Sequence, residues 1–170
     1  MEFYEVLQKT SSARDFLDKA VEPQKLKKIV DMTTQARSAG NLQSYKIYII
    51  HSQTAKEAMV GAVNYVDIVT KAPFVLVFCA DVKRSENTYG LRAEFCAMQD
   101  ATLACAYGQL AAATEDLSTI WLGDFDPLEV SRIIHAAPYE IPVAVLLLGY
   151  TDSYEPGPVG RALKDLVREV

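Results

Sequence analysis

The sequence is poor in the residues that build disulfide frameworks and metal sites. It has three cysteines and two histidines among 170 residues, and Cys79, Cys96 and Cys105 show no CxxC spacing. An odd number of thiols among apolar neighbours excludes a disulfide-rich scaffold and predicts free, buried thiols in a reducing compartment. A zinc site would need more ligands than the cysteines, His51 and His135 supply at such irregular spacing.

Long hydrophobic runs are also missing. The longest uncharged stretch, residues 101–114, is too short to cross a bilayer. Residues 1–9 are amphipathic and contain two glutamates, which is not the pattern of a signal peptide. We therefore expect a soluble, cytoplasmic protein without a membrane partner.

Positively charged residues are fewer than negatively charged ones. Lys and Arg number 17 against 22 Asp and Glu, which gives a net charge of −5. A mildly acidic chain lacks the electrostatic footprint of a general nucleic-acid binder, so we expect no nucleic-acid partner. A phosphorylated ligand would depend on a few identifiable cations that act against the surrounding negative field.

The remaining composition is that of an ordinary globular protein, and the length predicts a single domain over residues 1–170. Apolar segments predict strands at residues 45–50, 74–80, 118–122 and 142–150. Apolar periodicity predicts helices at residues 1–9, 23–36, 54–63, 91–116, 127–134 and 161–168, whereas residues 81–88 are interpreted as a charged loop. Apolar strands interleaved with helices predict a sheet with helices packed on each side.

The predicted helix over residues 91–116 is unusual because its second half consists almost entirely of small or apolar residues. A helix that is apolar all round is normally buried. A chain this short leaves much of its surface exposed and can hardly surround such a helix alone. The helix therefore predicts a second subunit that covers one side.

Two polar clusters lie in the first quarter of the chain. Residues 9–14 place Thr10, Ser11, Ser12 and Arg14 close together, which offers donors to a phosphate or a flavin edge. The alternative is a Ser/Thr helix cap with solvated cations. Residues 38–43 form a polar loop around a glycine, which fits either a ligand-binding loop or an ordinary turn.

Two further clusters lie near the end of the chain. Gly123 follows a strand that contains Trp121, and a glycine there lets a ligand approach backbone N–H groups. A core tryptophan followed by a turn explains the same pattern. Arg161 follows a Pro/Gly corner at a helix start, where it either grips an anion or is a surface cation.

Several well-known catalytic motifs do not occur in the sequence. It has no GxGxxG dinucleotide fingerprint, no GxxxxGK[ST] phosphate loop and no GxSxG nucleophile elbow. The two histidines follow apolar segments and are interpreted as structural. The sequence therefore predicts no catalytic side chain.

In chain order, the clusters resemble the motifs of the FMN-dependent nitroreductase family, in its compact prokaryotic branch. Residues 12–16, SARDF, match the second half of the family's opening Arg-Arg-Ser-x-Arg-x-Phe motif, and residues 37–45 resemble its Pro-Ser-x-x-Asn-x-Gln-Pro-Trp loop. Further similarities are Ala72-Pro73, the segments 89–92 and 99–101, the run WLGDF at 121–125, Gly149-Tyr150, and the closing Pro-x-x-Arg-x-x-Leu at 158–163.

This resemblance implies an α+β fold of nitroreductase type: a central, mixed but mostly antiparallel sheet flanked by helices, in an intertwined homodimer with FMN at the subunit interface. Thr10, Ser12 and Arg14 would line FMN, Ser38 and Asn41 would reach it from the other subunit, and Arg161 would hold its phosphate. The full set of implied cofactor-binding residues is Thr10, Ser11, Ser12, Arg14, Ser38, Ala39, Asn41, Gln43, Leu122, Gly123, Asp124 and Arg161.

The activity implied by the resemblance is hydride transfer from NADH or NADPH to FMN, followed by reduction of a small electron-poor acceptor such as a nitroaromatic or a quinone. The flavin carries this chemistry, so no side chain need act as nucleophile or base. The alternative is a flavin-binding or ligand-sensing dimer without efficient turnover. Thr10, which stands where the family's first motif has arginine, favours that alternative.

Overall fold

The core is a four-stranded sheet in a computed structural model that describes residues 2–10, 13–63, 66–153 and 160–170. The strands are β1 (Tyr45–Ile50), β2 (Phe74–Asp81), β3 (Ser118–Leu122) and β4 (Glu140–Gly149), in the order β1-β2-β4-β3. Every pairing among them is antiparallel. The four predicted strands are thereby confirmed, with small shifts at the ends of β2 and β4.

The two central strands are buried on both faces. Val75, Val77, Leu146 and Leu148 are fully inaccessible to solvent, so β2 and β4 appear in the sequence as continuous apolar runs rather than as alternating ones. The strands β1 and β3 form the two edges. Neighbouring strands lie about 4.8 Å apart, so three spacings separate the edges by about 14 Å.

Helices flank this sheet, and the α+β class that the resemblance implies is confirmed, although the described strands form a purely antiparallel sheet rather than a mixed one. Short 3-10 turns cover Ala39–Asn41 and Gly90–Arg92. The α-helices are α1 (Phe3–Lys9), α2 (Pro23–Thr33), α3 (Gln53–Met59), α4 (Val66–Lys71), α5 (Val82–Tyr89), α6 (Ala93–Thr114), α7 (Pro127–Ile134) and α8 (Leu163–Leu166). None of these helices combines the length and the apolar character that crossing a membrane requires.

The interpretation of residues 81–88 as a charged loop is wrong, because this segment forms α5. The Asp81 carboxylate caps it by accepting a hydrogen bond from the Arg84 N–H at 3.2 Å. The predicted helix over residues 54–63 ends at Met59, and α4 was not predicted. The predicted terminal helix is limited to the single turn of α8.

The long helix α6 lies between the sheet and solvent. Its inner face is lined by small residues, and a Cβ atom built on Gly108 would lie 3.2 Å from the Thr33 Cγ2 atom of α2. Its outer face carries Phe95, Met98 and Leu103, which are between 39% and 53% exposed. The described part of this chain leaves that apolar face uncovered.

The segment over residues 160–170 also exposes apolar side chains to solvent. Every residue from 160 to 170 is exposed, and Leu163, Leu166 and Val167 are each more than half exposed. Three apolar side chains in water on one short segment are unfavourable for an isolated subunit.

Candidate functional site

The first predicted group lies along the β3 edge. Thr10 ends α1, where its hydroxyl donates to the Leu7 carbonyl at 2.6 Å. Ser11 and Ser12 lie outside the described residues. The Ala13 N–H donates to the Thr119 carbonyl of β3 at 3.3 Å, which places the exposed Arg14 beside that strand.

The group at the end of β3 lies on the same edge. Leu122 is buried, whereas Gly123 and Asp124 are exposed directly after it. A Cβ atom built on Gly123 would meet no atom within 4 Å. The backbone at Gly123 therefore borders open space, as a surface that accepts a flat ligand requires.

The loop over residues 38–43 lies at the opposite edge of the sheet, immediately before β1. Gly40, Asn41 and Gln43 all have positive φ angles, between 50° and 55°, a conformation that costs energy for residues other than glycine. The Ser38 hydroxyl stabilises the turn by accepting from the Gln43 N–H at 2.9 Å. The Gln43 amide donates in turn to the Thr34 carbonyl at 2.8 Å.

Asp100, on α6, holds this loop from beneath. Its carboxylate is 2% exposed and accepts hydrogen bonds from the Ala39 N–H at 2.8 Å and the Ser44 N–H at 3.1 Å. The Arg84 guanidinium of α5 donates to the Leu42 carbonyl. Sequence reasoning did not assign Asp100 to the site, although a lone acid in the apolar run of α6 is a usable signal.

Space at the loop is limited on one side and open on the other. A Cβ atom on Gly40 would lie 2.9 Å from the Tyr89 hydroxyl, so the α5 side is closed to larger residues. On the α6 side, a groove of about 590 Å³ runs between Ser38, Ala39 and the exposed apolar face of α6. In the described part of one chain, the loop therefore borders a groove that is open to solvent along the apolar face of α6.

Arg161 belongs to the exposed terminal segment. Its guanidinium donates to the Asp165 carbonyl at 2.9 Å, across the single turn of α8. The residues of the preceding Pro/Gly corner, 156–159, lie outside the described residues.

One chain does not bring all the predicted residues together. Thr10, Arg14 and Gly123 lie at the β3 edge, and the loop over residues 38–43 lies at the β1 edge. About 14 Å of sheet separates the two groups. Two copies of the chain would have to meet for both groups to face one ligand, as the expectation that Ser38 and Asn41 act from the other subunit requires.

The three cysteines are free and buried, as predicted. Burial raises the pKa of Cys79 to about 12 and also raises that of Cys105, so both thiols are protonated and unreactive near neutral pH. Within the described ranges, no group of three or more His, Cys, Asp or Glu residues could hold a metal ion.

The nitroreductase family model matches residues 7–64 and 56–150, which is most of the chain. The chain belongs to the nitroreductase family. The resemblance inferred from the motifs is thereby confirmed. The matched region includes every predicted site residue except Arg161, whose assignment rests on the closing motif alone.

Named relatives agree with this membership. The FMN reductase [NAD(P)H] of Bacillus subtilis is 24% identical in an alignment of 153 positions that covers 82% of this chain and 61% of that protein. A nitroreductase family protein from Clostridium novyi is 27% identical with a TM-score of 0.82, over 89% of this chain and 87% of that one. A family protein from Streptococcus pneumoniae has a TM-score of 0.89 at 18% identity, over 99% and 100% of the two chains, and shows the shared fold.

Proposed function

We propose that this protein is an NAD(P)H-dependent oxidoreductase that uses FMN bound between two copies of the chain. Family membership and the name of the Bacillus subtilis relative support the reaction class. The observation that carries the proposal is structural: the predicted binding residues lie on opposite edges of the sheet, and the face of α6 beside one of them is apolar and uncovered.

The residues fit the chemistry of FMN. Its phosphate requires cations, which an acidic protein must place locally, and the guanidinium groups of Arg14 and Arg161 are exposed. Its ring requires a flat surface that the backbone can approach, which Gly123 offers. Its polar edge and ribityl hydroxyls require adaptable partners, which Ser38 and Asn41 provide.

Each residue then has a distinct task. Arg161 would hold the phosphate, and Arg14 would stabilise negative charge at the pyrimidine edge. The Gly123 backbone would lie against the ring, while Ser38 and Asn41 would bind from the second copy. When bound, FMN supplies the redox chemistry between NAD(P)H and a small electron-poor acceptor, such as a nitroaromatic or a quinone.

The second copy would cover the surfaces that one chain leaves exposed. Phe95, Met98 and Leu103 form an apolar strip on α6, and burying such a strip is the usual driving force for stable association. The exposed segment over residues 160–170 would extend over the partner and bring Arg161 to the subunit interface, which gives an intertwined homodimer.

Anaerobic titration of the purified protein tests the proposal. We expect a yellow dimer whose flavin absorbance bleaches on adding NADH or NADPH and returns on adding a nitroaromatic or a quinone. Steady-state rates should give parallel double-reciprocal plots, because donor and acceptor use one site in turn. A colourless protein that does not bind added FMN would contradict the proposal.

The second candidate function is a flavin-binding or ligand-sensing dimer. Thr10 favours it, because a neutral hydroxyl stands where the family's opening motif has an arginine. A yellow dimer that neither donor bleaches would identify this second function.

A further inference from the structure

A second cavity, of about 640 Å³, lies at the opposite end of the central strands from the β1 loop. It opens to solvent and is bounded by the segment that follows Phe16, the end of β1, the start of α3 and the turn between α4 and β2. Of the predicted flavin-binding residues that the structure describes, none lines it. Its lining residues are Phe16, Asp18, Lys19, Ala20, Val21, His51, Gln53, Lys56, Thr70, Lys71, Pro73 and Phe74.

Lys56 is the unusual residue of this cavity. It is only 7% exposed, and its ammonium donates to the Ala72 carbonyl at 3.0 Å. No carboxylate lies within ion-pair distance of it in the described parts of the chain. Burial accordingly lowers the pKa of Lys56.

Capping explains only part of this arrangement. The Ala72 carbonyl follows α4, and a lysine that caps a helix end is stabilising. An ammonium has three donors, however, and a single neutral acceptor leaves the buried charge poorly compensated. An exposed lysine could cap the same carbonyl at lower cost, so the burial of Lys56 points to a partner that enters the cavity.

The rest of the polar lining also favours an anion. Lys19 and Lys71 line the cavity beside Lys56, whereas Asp18 is the one acidic residue among the described lining residues. The Lys19 ammonium lies 3.6 Å from the centre of the Tyr150 ring. Both Asp15 oxygens lie 3.2 Å from the Lys71 ammonium. Because Asp15 offsets the charge of Lys71, the lining carries only a small positive excess, and Lys56 is the cation that has no carboxylate partner in the described parts of the chain.

The remaining wall is apolar. Phe16 and Val21 are buried, Pro73 and Phe74 are half-buried, and the His51 ring meets Phe74 edge-on at 6.4 Å between ring centres. A wall of this kind favours a compact apolar body attached to the charged group.

We propose that this cavity binds a small organic anion, a carboxylate or phosphate ester with a compact apolar body, whose charged group contacts Lys56. Lys19 and Lys71 would attract the anion electrostatically, and the Phe16–Phe74 side would cover its apolar part. The site is separate from the flavin site and does not depend on the redox function.

Calorimetric titration with phenyl phosphate, benzoate and inorganic phosphate tests this site, on the full chain with and without saturating FMN. We expect one phenyl phosphate per chain, and about tenfold weaker binding in Lys56→Met, because a charge-assisted hydrogen bond is removed. Lys27→Met, which removes an exposed lysine of α2, serves as the matched control and should bind as wild type. Lys19→Met/Lys71→Met alters only exposed side chains and should also weaken binding, whether or not Lys56→Met folds.

Each outcome decides a part of the proposal. No measurable phenyl phosphate binding, or equal affinity in wild type, Lys56→Met and the double variant, would overturn the site. Binding of inorganic phosphate as tight as that of phenyl phosphate would overturn the role of the apolar wall. Weaker benzoate binding would identify phosphate esters as the ligands, and the reverse would identify carboxylates. Competition with FMN would overturn the separation of the two sites, whereas binding that persists in a protein unable to bind FMN would support it.

Discussion

Among single residues, Asp100 shows how one buried carboxylate fixes the shape of a distant loop. Its two oxygens accept the N–H groups of Ala39 and Ser44, and these bonds hold a loop with three positive φ angles. The energy that such backbone angles cost must come from contacts of this kind.

We expect Asp100→Ala to lower the free energy of unfolding by about 2–4 kcal/mol, because the buried N–H group of Ser44 and the partly buried N–H group of Ala39 lose their acceptor. Urea denaturation of the flavin-free protein measures this change. Asp31→Ala, which removes an exposed carboxylate paired with Lys27, is the control and should change stability by less than about 1 kcal/mol. If the two variants are equally stable, Asp100 does not hold the loop.

Arg161 is the residue whose proposed role is purely electrostatic. It is exposed and donates only to the Asp165 carbonyl of its own segment in the described structure, so we expect Arg161→Ala to fold normally. FMN affinity should fall about tenfold or more, because a charge-assisted bond to phosphate is lost. Flavin fluorescence titration measures the affinity, with Arg168→Ala as a matched control on the same segment. Equal FMN affinity in wild type and Arg161→Ala would remove this residue from the site.

The candidate site could be predicted only where its residues are neighbours in the sequence. Short motifs predicted the group around Arg14 and the group over residues 122–124, which lie at the β3 edge, and also the loop before β1. The support of the loop could not be found in this way, because Ala39 and Asp100 are 61 residues apart and meet only in the folded chain. Nothing in the sequence alone marks Lys56 as buried, since most lysines are exposed.

At the level of elements, the uniformly buried strands were readily predicted, whereas one exposed and charged helix was missed. The strands β2 and β4 are apolar on both faces, so their continuous apolar runs were correctly predicted to be buried strands. The helix α5 has the sequence VKRSENTY with only Ser85 buried, and its exposed charges resemble a loop. Its cap, Asp81, was attributed to that loop rather than to a helix start.

The exposed face of α6 gives a prediction at this scale. Phe95→Glu places a charge in the apolar strip, where we expect it to weaken the proposed dimer by about thirtyfold or more, as loss of an interface anchor does. Light scattering over a concentration series measures the dissociation. Thr54→Glu, the same change of charge at an exposed position of α3, should leave the dimer intact. A Phe95→Glu protein that remains as dimeric as Thr54→Glu would place the interface elsewhere.

At the level of the whole molecule, the sheet separates the two groups of residues that we propose bind the flavin. Arg14 and Gly123 lie at one edge, and the loop with Ser38 and Asn41 lies at the other. In an assembly of two copies related by a twofold axis, the β3 edge of each chain can meet the β1 loop of its partner, which generates two equal sites. Each site then contains residues from both chains.

Mixing two inactive variants tests this division directly. We expect Arg14→Ala and the double variant Ser38→Ala/Asn41→Ala each to lose most flavin-dependent activity as pure dimers. If each site takes Arg14 from one chain and the loop from the other, a mixed dimer contains one site with both defects and one intact site. When equal amounts reassort at random, half of the dimers are mixed and each mixed dimer has one intact site out of two. About a quarter of the wild-type number of sites should therefore be restored. Co-expression with two affinity tags, followed by flavin content and NAD(P)H oxidation, measures the recovery. Absence of recovery in an isolated mixed dimer would mean that each site is built from a single chain, because both its sites would then carry one defect.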